Sequence, residues 1–294
     1  MTVSKDQFAL DQALLNAAGQ GRASDLAPLL ASGANPSAKR PHDLKTAFLK
    51  AAESGRVDCL EILLPLSDTK TRDSSGRTAL MLAAAGANLD AVRFLLPLCD
   101  ADAVCHKGRT ALQHATHTDS FDREAVVRVL APATQAIDQI GKDGKTALHQ
   151  AVEARLDGVI DVFTRLANPN IQDKKGQTPL MTALEFGVDD DPWIAALAPI
   201  TNLGLKSRAG QYAFDFAIDD NQWDWADTFA EGTPEGRVQK EFKRAGPEKM
   251  PRWAALMEAR SLAQEVAAVS AAQKANPLPL EASFPTPNRK ARAL

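Results

Sequence analysis

The sequence predicts an all-α solenoid of about seven short helix-turn-helix units with small fingers between them, followed by one further helix near the C-terminal end. Three observations predict it. One string recurs: GRTALMLAAA from 76, GRTALQHATH from 108, GKTALHQAVE from 144 and GQTPLMTALE from 176 share Gly, Thr, Leu and Ala at fixed offsets. The markers Thr46, Thr78, Thr110, Thr146 and Thr178 are spaced by 32, 32, 36 and 32 residues, with degenerate copies at Gln12 and Tyr212 standing 34 away at either end. The composition is 45% apolar, yet the 294 residues include only 11 Phe, 4 Trp and 1 Tyr. The core must therefore be built from Leu, Ala, Val and Ile, which suits small helices stacked closely.

The elements of a unit follow in order. Thr caps the free N–H groups of a first helix, the next position holds Ala or Pro, and the Leu and Ala that follow share one side. Gly21, Gly55 and Gly187 fall where that helix must end with a left-handed residue. A second helix then shows one apolar face, as in Val57, Leu60, Leu63 and Leu64 or in Leu89, Val92, Leu95 and Leu96. A single hairpin of this kind cannot bury its own apolar face, whereas stacked neighbours can, so stability becomes a chain of nearest-neighbour interfaces. The expected organisation is a lead-in over 1–10, the repeat domain over 11–230, a linker and amphipathic helix over 231–274, and a disordered tail over 275–294.

T-A-L-H at 146–149 and T-P-L-M at 178–181 resemble the T-P-L-H-x-A signature of the ankyrin repeat, whose period of about 33 also fits. Ser32-Gly33-Ala34-Asn35-Pro36 and Ala167-Asn168-Pro169-Asn170 are similar to the stretch that opens that family's β-hairpin finger. The resemblance covers about three quarters of the chain and implies a fold of ankyrin type with short β-hairpin fingers. Departures are visible. Leu64-Pro65-Leu66, Leu96-Pro97-Leu98, Ala131-Pro132 and Ala198-Pro199 should end their helices early. Ala87, Asp119 and Arg155 replace the left-handed Gly, so those loops are expected to differ locally. The fourth unit is longer through HATHTDSFDREAVV, and an acidic turn runs from Val188 through Asp189, Asp190, Asp191 and Pro192 to Trp193.

After Gly232 a mixed-charge run leads to a predicted helix over 252–274, with Trp253, Leu256, Met257, Ala263, Val266 and Val269 roughly on one stripe. Docking on the last repeat, as a cap for the open end, is its simplest role, and binding a partner is the alternative. Arg289, Lys290 and Arg292 sit in the tail.

Chemistry has no visible seat. Phosphate-binding glycine loops and the G-x-S-x-G elbow are missing, so no enzymatic activity and no cofactor are expected. Cys105, His106, His114 and His117 fall within one unit, but no second Cys or acidic ligand accompanies them at a matching spacing, so no metal site is expected and a metal-dependent protein using this cluster is the weakest alternative. His149 holds the position of the signature His, where a structural hydrogen bond is the ordinary role. Acidic pairs such as Asp219 with Asp220 read as solvated faces. Cys59, Cys99 and Cys105 are an odd count without paired spacing, which points to reduced thiols and a cytoplasmic location. No uninterrupted apolar window is long enough to span a membrane, and MTVSKDQFAL lacks the apolar stretch of an export signal.

Charge is informative. The predicted fingers, 37–45, 68–77, 100–109, 137–145, 168–177 and 201–211, hold 14 basic and 8 acidic residues, whereas residues 1–230 as a whole hold 23 and 30. Lys45, Arg77, Arg109 and Lys145 stand just before the Thr of successive units and should form a row attractive to an acidic protein surface. An acidic body with pI ≈ 6.0 and few aromatics argues against nucleic acid. The family resemblance implies binding of another protein through the concave face of finger tips and inner helices. Carried over by position, the finger contacts are Lys45, Ser75, Arg77, Lys107, Arg109, Lys142, Lys145, Lys175 and Gln177. The helix contacts are Glu53, Ser54, His117, Glu153, Glu185 and Phe186, with Phe186 as an aromatic anchor unless it packs under the Trp193 loop. Regulation or inhibition of a partner enzyme, including by a delivered effector, would use the same surface.

Overall fold

The computed structural model describes residues 5–186 and 191–275, with side chains as far as residue 268. Its helices come in pairs: α1 (Lys5–Gln20) with α2 (Ala23–Ala31), α3 (Ala47–Glu53) with α4 (Val57–Leu63), and α5 (Ala79–Ala85) with α6 (Leu89–Leu95). There follow α7 (Ala111–Thr116) with α8 (Arg123–Leu130), α9 (Ala147–Glu153) with α10 (Ile160–Leu166), α11 (Pro179–Glu185) with α12 (Pro192–Leu197), and α13 (Ala213–Asp219) with α14 (Trp223–Phe229). Helices α15 (Glu235–Ala245) and α16 (Pro251–Ala275) complete the described chain. The first helix already begins at Lys5, inside the stretch expected as a lead-in.

First helices stack on one another in sequence order from α1 to α13, and second helices form an outer layer in which α2 meets α4, α6 meets α8 and α10 meets α12. Helices of about seven residues are too short to persist alone. Each is held by its caps and by burial on several sides. Helix α5, between α3 and α7, buries Ala79, Leu80, Met81, Leu82, Ala83 and Ala84, and this is why it reads as apolar nearly all round.

The Thr markers are the caps. Oγ1 of Thr46, Thr78, Thr110, Thr146 and Thr178 accepts the N–H three residues on, at 3.3–3.4 Å. At Tyr212 the roles reverse, and the Asp215 carboxylate accepts the Tyr212 N–H at 2.9 Å.

The loops require one correction. Ala87 and Arg155 were expected to change their turns, yet they keep the left-handed conformation of Gly21 and Gly55, with φ of 52° and 53°. The reason is hydrogen bonding. At Gly55 the turn closes through Gly55 N–H to Ala52 O (3.2 Å) and Arg56 N–H to Ala51 O (2.9 Å). Ala87 and Asn88 donate likewise to Ala84 and Ala83, and Arg155 and Leu156 to Val152 and Ala151, all at 3.0–3.1 Å. Leaving two buried carbonyls of the first helix unpaired would cost more than about 1–2 kcal/mol of backbone strain. The Asp119 loop does depart: α8 waits until Arg123, whose guanidinium donates to Thr118 O (2.7 Å) and Ala154 O (3.1 Å).

Proline ends the second helices as expected. Helices α4, α6 and α8 stop at Leu63, Leu95 and Leu130, and 3₁₀ turns carry the chain on through Pro65, Pro97 and Pro132. Gly187, Val188, Asp189 and Asp190 lie outside the described residues. Asp191 beyond them caps α12 through the Trp193 N–H (2.8 Å) and pairs with Arg155 (2.7 Å). Trp193 is fully buried beside Phe163.

At the C-terminal end the buried Asp227 of α14 accepts the N–H groups of Arg252 and Trp253, each at 2.8 Å, and so caps α16 from another element. Trp253 is buried, Leu256 and Met257 are partly covered, and residues 258–268 are exposed. Helix α15 lies within the mixed-charge run, buries Val238 and is tied down by Arg237 to Asp215 at 2.8 Å. The Val269 side chain and residues 276–294, including Arg289, Lys290 and Arg292, are outside the described residues. No described helix is long and apolar enough to cross a membrane.

Candidate functional site

Five of the fingers are five-residue turns, closed by a backbone bond from the fourth residue back to the first and one from the first residue to the fifth, while the first finger spans six residues from Arg40 to Lys45. Asp73 N–H donates to Arg77 O, Cys105 to Arg109, Gly141 to Lys145, Asp173 to Gln177 and Ser207 to Gln211, at 2.8–3.1 Å. The fourth residue of each turn, Gly76, Gly108, Gly144, Gly176 or Gly210, has positive φ. Among the described residues there is no strand, so the fingers expected as β-hairpins are turns. Successive tips are joined: Ser74 N–H donates to Asp43 O, His106 to Ser75, Lys142 to Lys107 and Arg208 to Lys175, at 2.8–2.9 Å. Between the Lys142 and Lys175 fingers no such backbone bond forms; there the Lys174 side chain bridges instead, its Nζ donating to Lys142 O.

The four cations that precede the caps are in register, but each has a counter-ion, so they do not form a bare basic ridge. Lys45 is only 6% exposed and pairs with Glu53 (2.6 Å) and Asp43 (3.3 Å). Arg77 pairs with the buried Asp73 (2.8 Å), Arg109 with Asp143 of the next finger (2.7 Å), and Lys145 with Glu153. Electrostatics follow. Hydrogen bonds from Arg40 and then Lys45 hold the Asp43 carboxyl far below the usual range. Burial opposes ionisation of Glu53 and of Asp143, but hydrogen bonds from Lys45 and Lys50 in one case and from Arg109 in the other leave both acids below their ordinary values.

The remaining candidates divide between exposed and engaged. Ser75, Lys107, Lys142, Lys175, His117 and Glu185 are exposed, whereas Gln177 is buried and donates to Glu185 at 3.1 Å. Lys175 reaches Glu185 at 3.3 Å. Ser54 caps the end of α3. Phe186 is 49% exposed, and the residues of the Trp193 loop that would cover it, 187–190, lie outside the described residues. Beside it an open groove of about 600 Å³ runs between Lys175, Glu185, Arg208, Phe216 and Asp219.

The histidines are structural where they are buried. His149 sets Nδ1 against Thr146 Oγ1 (2.8 Å) and Nε2 against Gln177 O of the next finger (3.1 Å), and burial lowers its proton affinity. Gln113 does the same work before it, accepting from Thr110 N–H (3.1 Å) and donating to Lys145 O (2.9 Å). His114 is pushed down to about 4 by burial and then by Arg77, Arg109 and His117. Among the described residues no three His, Cys, Asp or Glu side chains are grouped so as to hold a metal ion.

Against known families, the profile for ankyrin repeats (three copies) matches residues 14–104 and 87–166, together just over half of the chain. The chain belongs to the ankyrin-repeat family. No curated protein matches it. Ankyrin repeats are in general modules of protein–protein interaction, and the site to consider is therefore a surface. Sequence reasoning missed the carboxylates that neutralise the basic row, the tip-to-tip bonds and the Asp227 cap. The signal for the first was present as a glutamate eight residues after Lys45 and after Lys145.

Proposed function

We propose that this ankyrin-repeat chain is a non-enzymatic module that binds another protein along the groove between its finger tips and first helices. The seven helix pairs are taken as seven ankyrin units, the outer two degenerate, and the finger turns as the family's hairpin fingers. The observation that carries the reading is the tip-to-tip bonding. Together with the Lys174 side chain on Lys142 O, it holds Ser75, Lys107, Lys142 and Lys175 on one pre-ordered edge, with Glu185 and then the half-exposed Phe186 at its Lys175 end. Side chains displayed on a rigid edge lose little freedom on binding, and an exposed aromatic at the centre of a polar surface makes an effective anchor. Buried free thiols at Cys59 and Cys105 suit a reducing, cytoplasmic setting.

The test is affinity capture with mass spectrometry from the native source, comparing the full chain with a variant carrying Phe186→Ala, Lys107→Glu, Lys142→Glu and Lys175→Glu. One stoichiometric partner lost from the variant, with circular dichroism unchanged, is the expected result. A partner list identical for both chains refutes this surface.

A further inference from the structure

One pairing recurs along the groove and is omitted twice. The residue before each cap faces the residue seven after that cap: Lys45 meets Glu53 at 2.6 Å, Lys145 meets Glu153, Gln177 meets Glu185 at 3.1 Å, and Gln211 meets Asp219 at 3.3 Å. Beside α5 and α7 the seventh residue is Ala85 and His117, with no carboxylate, while the residue before the cap is arginine both times. Arg77 commits Nε and Nη2 to Asp73, and Arg109 commits Nη2 to Asp143. Nη1 of Arg77 and Nε and Nη1 of Arg109 have no acceptor among the described residues. His114 on α7 has its Nε2 buried without a partner. Its proton affinity is depressed first by burial and then by Arg77, Arg109 and His117, with Asp73 opposing.

We propose that Arg77 and Arg109, above Ala85 and His117, receive the carboxylate side chains of an acidic segment of a protein partner. This rests on the reading of the groove as a protein-binding surface and names the chemistry at its centre. Carboxylates are favoured because the four other positions along the groove are filled by Glu53, Glu153, Glu185 and Asp219, so the local geometry already accepts that group. Ala85 leaves the space that a glutamate takes elsewhere. Guanidinium groups present paired donors to a carboxylate, which a lysine cannot do.

The test uses fluorescence anisotropy of labelled poly-L-glutamate with the full chain, and poly-L-glutamine as the neutral control. Ala85→Glu combined with His117→Glu supplies the missing carboxylates within the chain, following the Lys45 to Glu53 pair, without removing any ion pair. The expected result is an unchanged melting temperature and a loss of affinity of about tenfold or more. Lys240→Gln with Lys243→Gln lowers the charge equally at two exposed positions of α15, and its affinity should stay within about twofold. Wild-type indifference to poly-L-glutamate, an equal loss in the α15 variant, or unaltered binding by the Ala85 and His117 variant overturns the proposal. So does single-stranded RNA that competes equally well and is lost with the same two substitutions. A captured partner that depends on Phe186 but ignores Ala85→Glu with His117→Glu would sink this proposal and leave the protein-binding reading standing, whereas the absence of any partner would end both.

Discussion

Replacing Gly55 with alanine tests how the first helices are closed. Gly55 has φ of 70°, and an added Cβ would lie 2.6 Å from Cγ and Oδ1 of Asn88. Asn88 is not free to retreat, because its Nδ2 donates to Glu53 O at 2.9 Å and ties one helix pair to the next. The left-handed alanine costs about 1–2 kcal/mol. The displaced hydrogen bond costs about 1 kcal/mol more. Reduced freedom of the unfolded chain returns about 0.5–1 kcal/mol. The net expectation is destabilisation by about 1.5–2 kcal/mol. Gly21→Ala is the control: φ is 76°, but the neighbour is the Arg56 side chain at Cδ (2.8 Å), which can swing into solvent, so the cost should be about 0.5–1 kcal/mol. Introduced into Asn88→Ala, Gly55→Ala should also cost only about 0.5–1 kcal/mol, a coupling of about 1 kcal/mol. Urea unfolding followed by circular dichroism gives these differences, and hydrogen exchange at the Arg56 and Asn88 amides locates them. Equal costs at Gly21 and Gly55, with no coupling to Asn88, would refute the reasoning.

His149→Gln should be nearly neutral, since Gln113 makes the equivalent bonds one unit earlier, whereas His149→Leu leaves Gln177 O and Thr146 N–H unsatisfied and should cost about 1–3 kcal/mol by urea melts. The depressed His114 makes stability fall with acidity: between its ordinary 6.5 and about 4 the unfolded chain binds a proton that the folded chain refuses. The loss amounts to up to about 3 kcal/mol, complete below that window, and His114→Gln should remove this part of the slope when urea midpoints are compared across it. Asp227→Ala removes the carboxylate that caps α16 and should weaken its docking by about 2–3 kcal/mol, read as faster amide exchange over α16 and a red-shifted Trp253 emission. Unchanged exchange there would mean that Leu256 and Met257 alone hold the helix.

Local rules made the repeat frame legible. Thr46, Thr78, Thr110, Thr146 and Thr178 declare their helices because a cap works within three residues, and the prolines after Leu64 and Leu96 declare where the partners stop. Turns were less legible. Ala87 and Arg155 were read from steric cost alone, while the carbonyls satisfied at these turns sit three to five residues back in the first helix, where the stack buries them. The candidate surface was half legible: positions were readable from the repeat, but the charge state of the row was not. Arg109 finds its carboxylate 34 residues on, and Arg77 finds one four residues back, so equal residues at equal positions have different partners. Helix α15 was obscured by charge, although Val238 and Phe242 stand four apart. Asp227 was invisible as a cap, since its donors come 25 and 26 residues later.

The tip-to-tip bonds also dictate where this chain tolerates changes of length. They join four of the five successive finger pairs through a fixed pair of backbone groups, so an insertion at one of those tips would put donor and acceptor out of step. Among the described residues the opposite end of the hairpins carries no such backbone ladder, and units are tied there by side chains such as Asn88 on Glu53 O. Most of the extra length of the fourth unit lies there, between His117 and Asp122, with Arg123 bridging to Ala154 as a local patch. New loops for new partners can be grafted at that end one unit at a time, whereas the finger edge can change only by substitution or by the gain and loss of whole units.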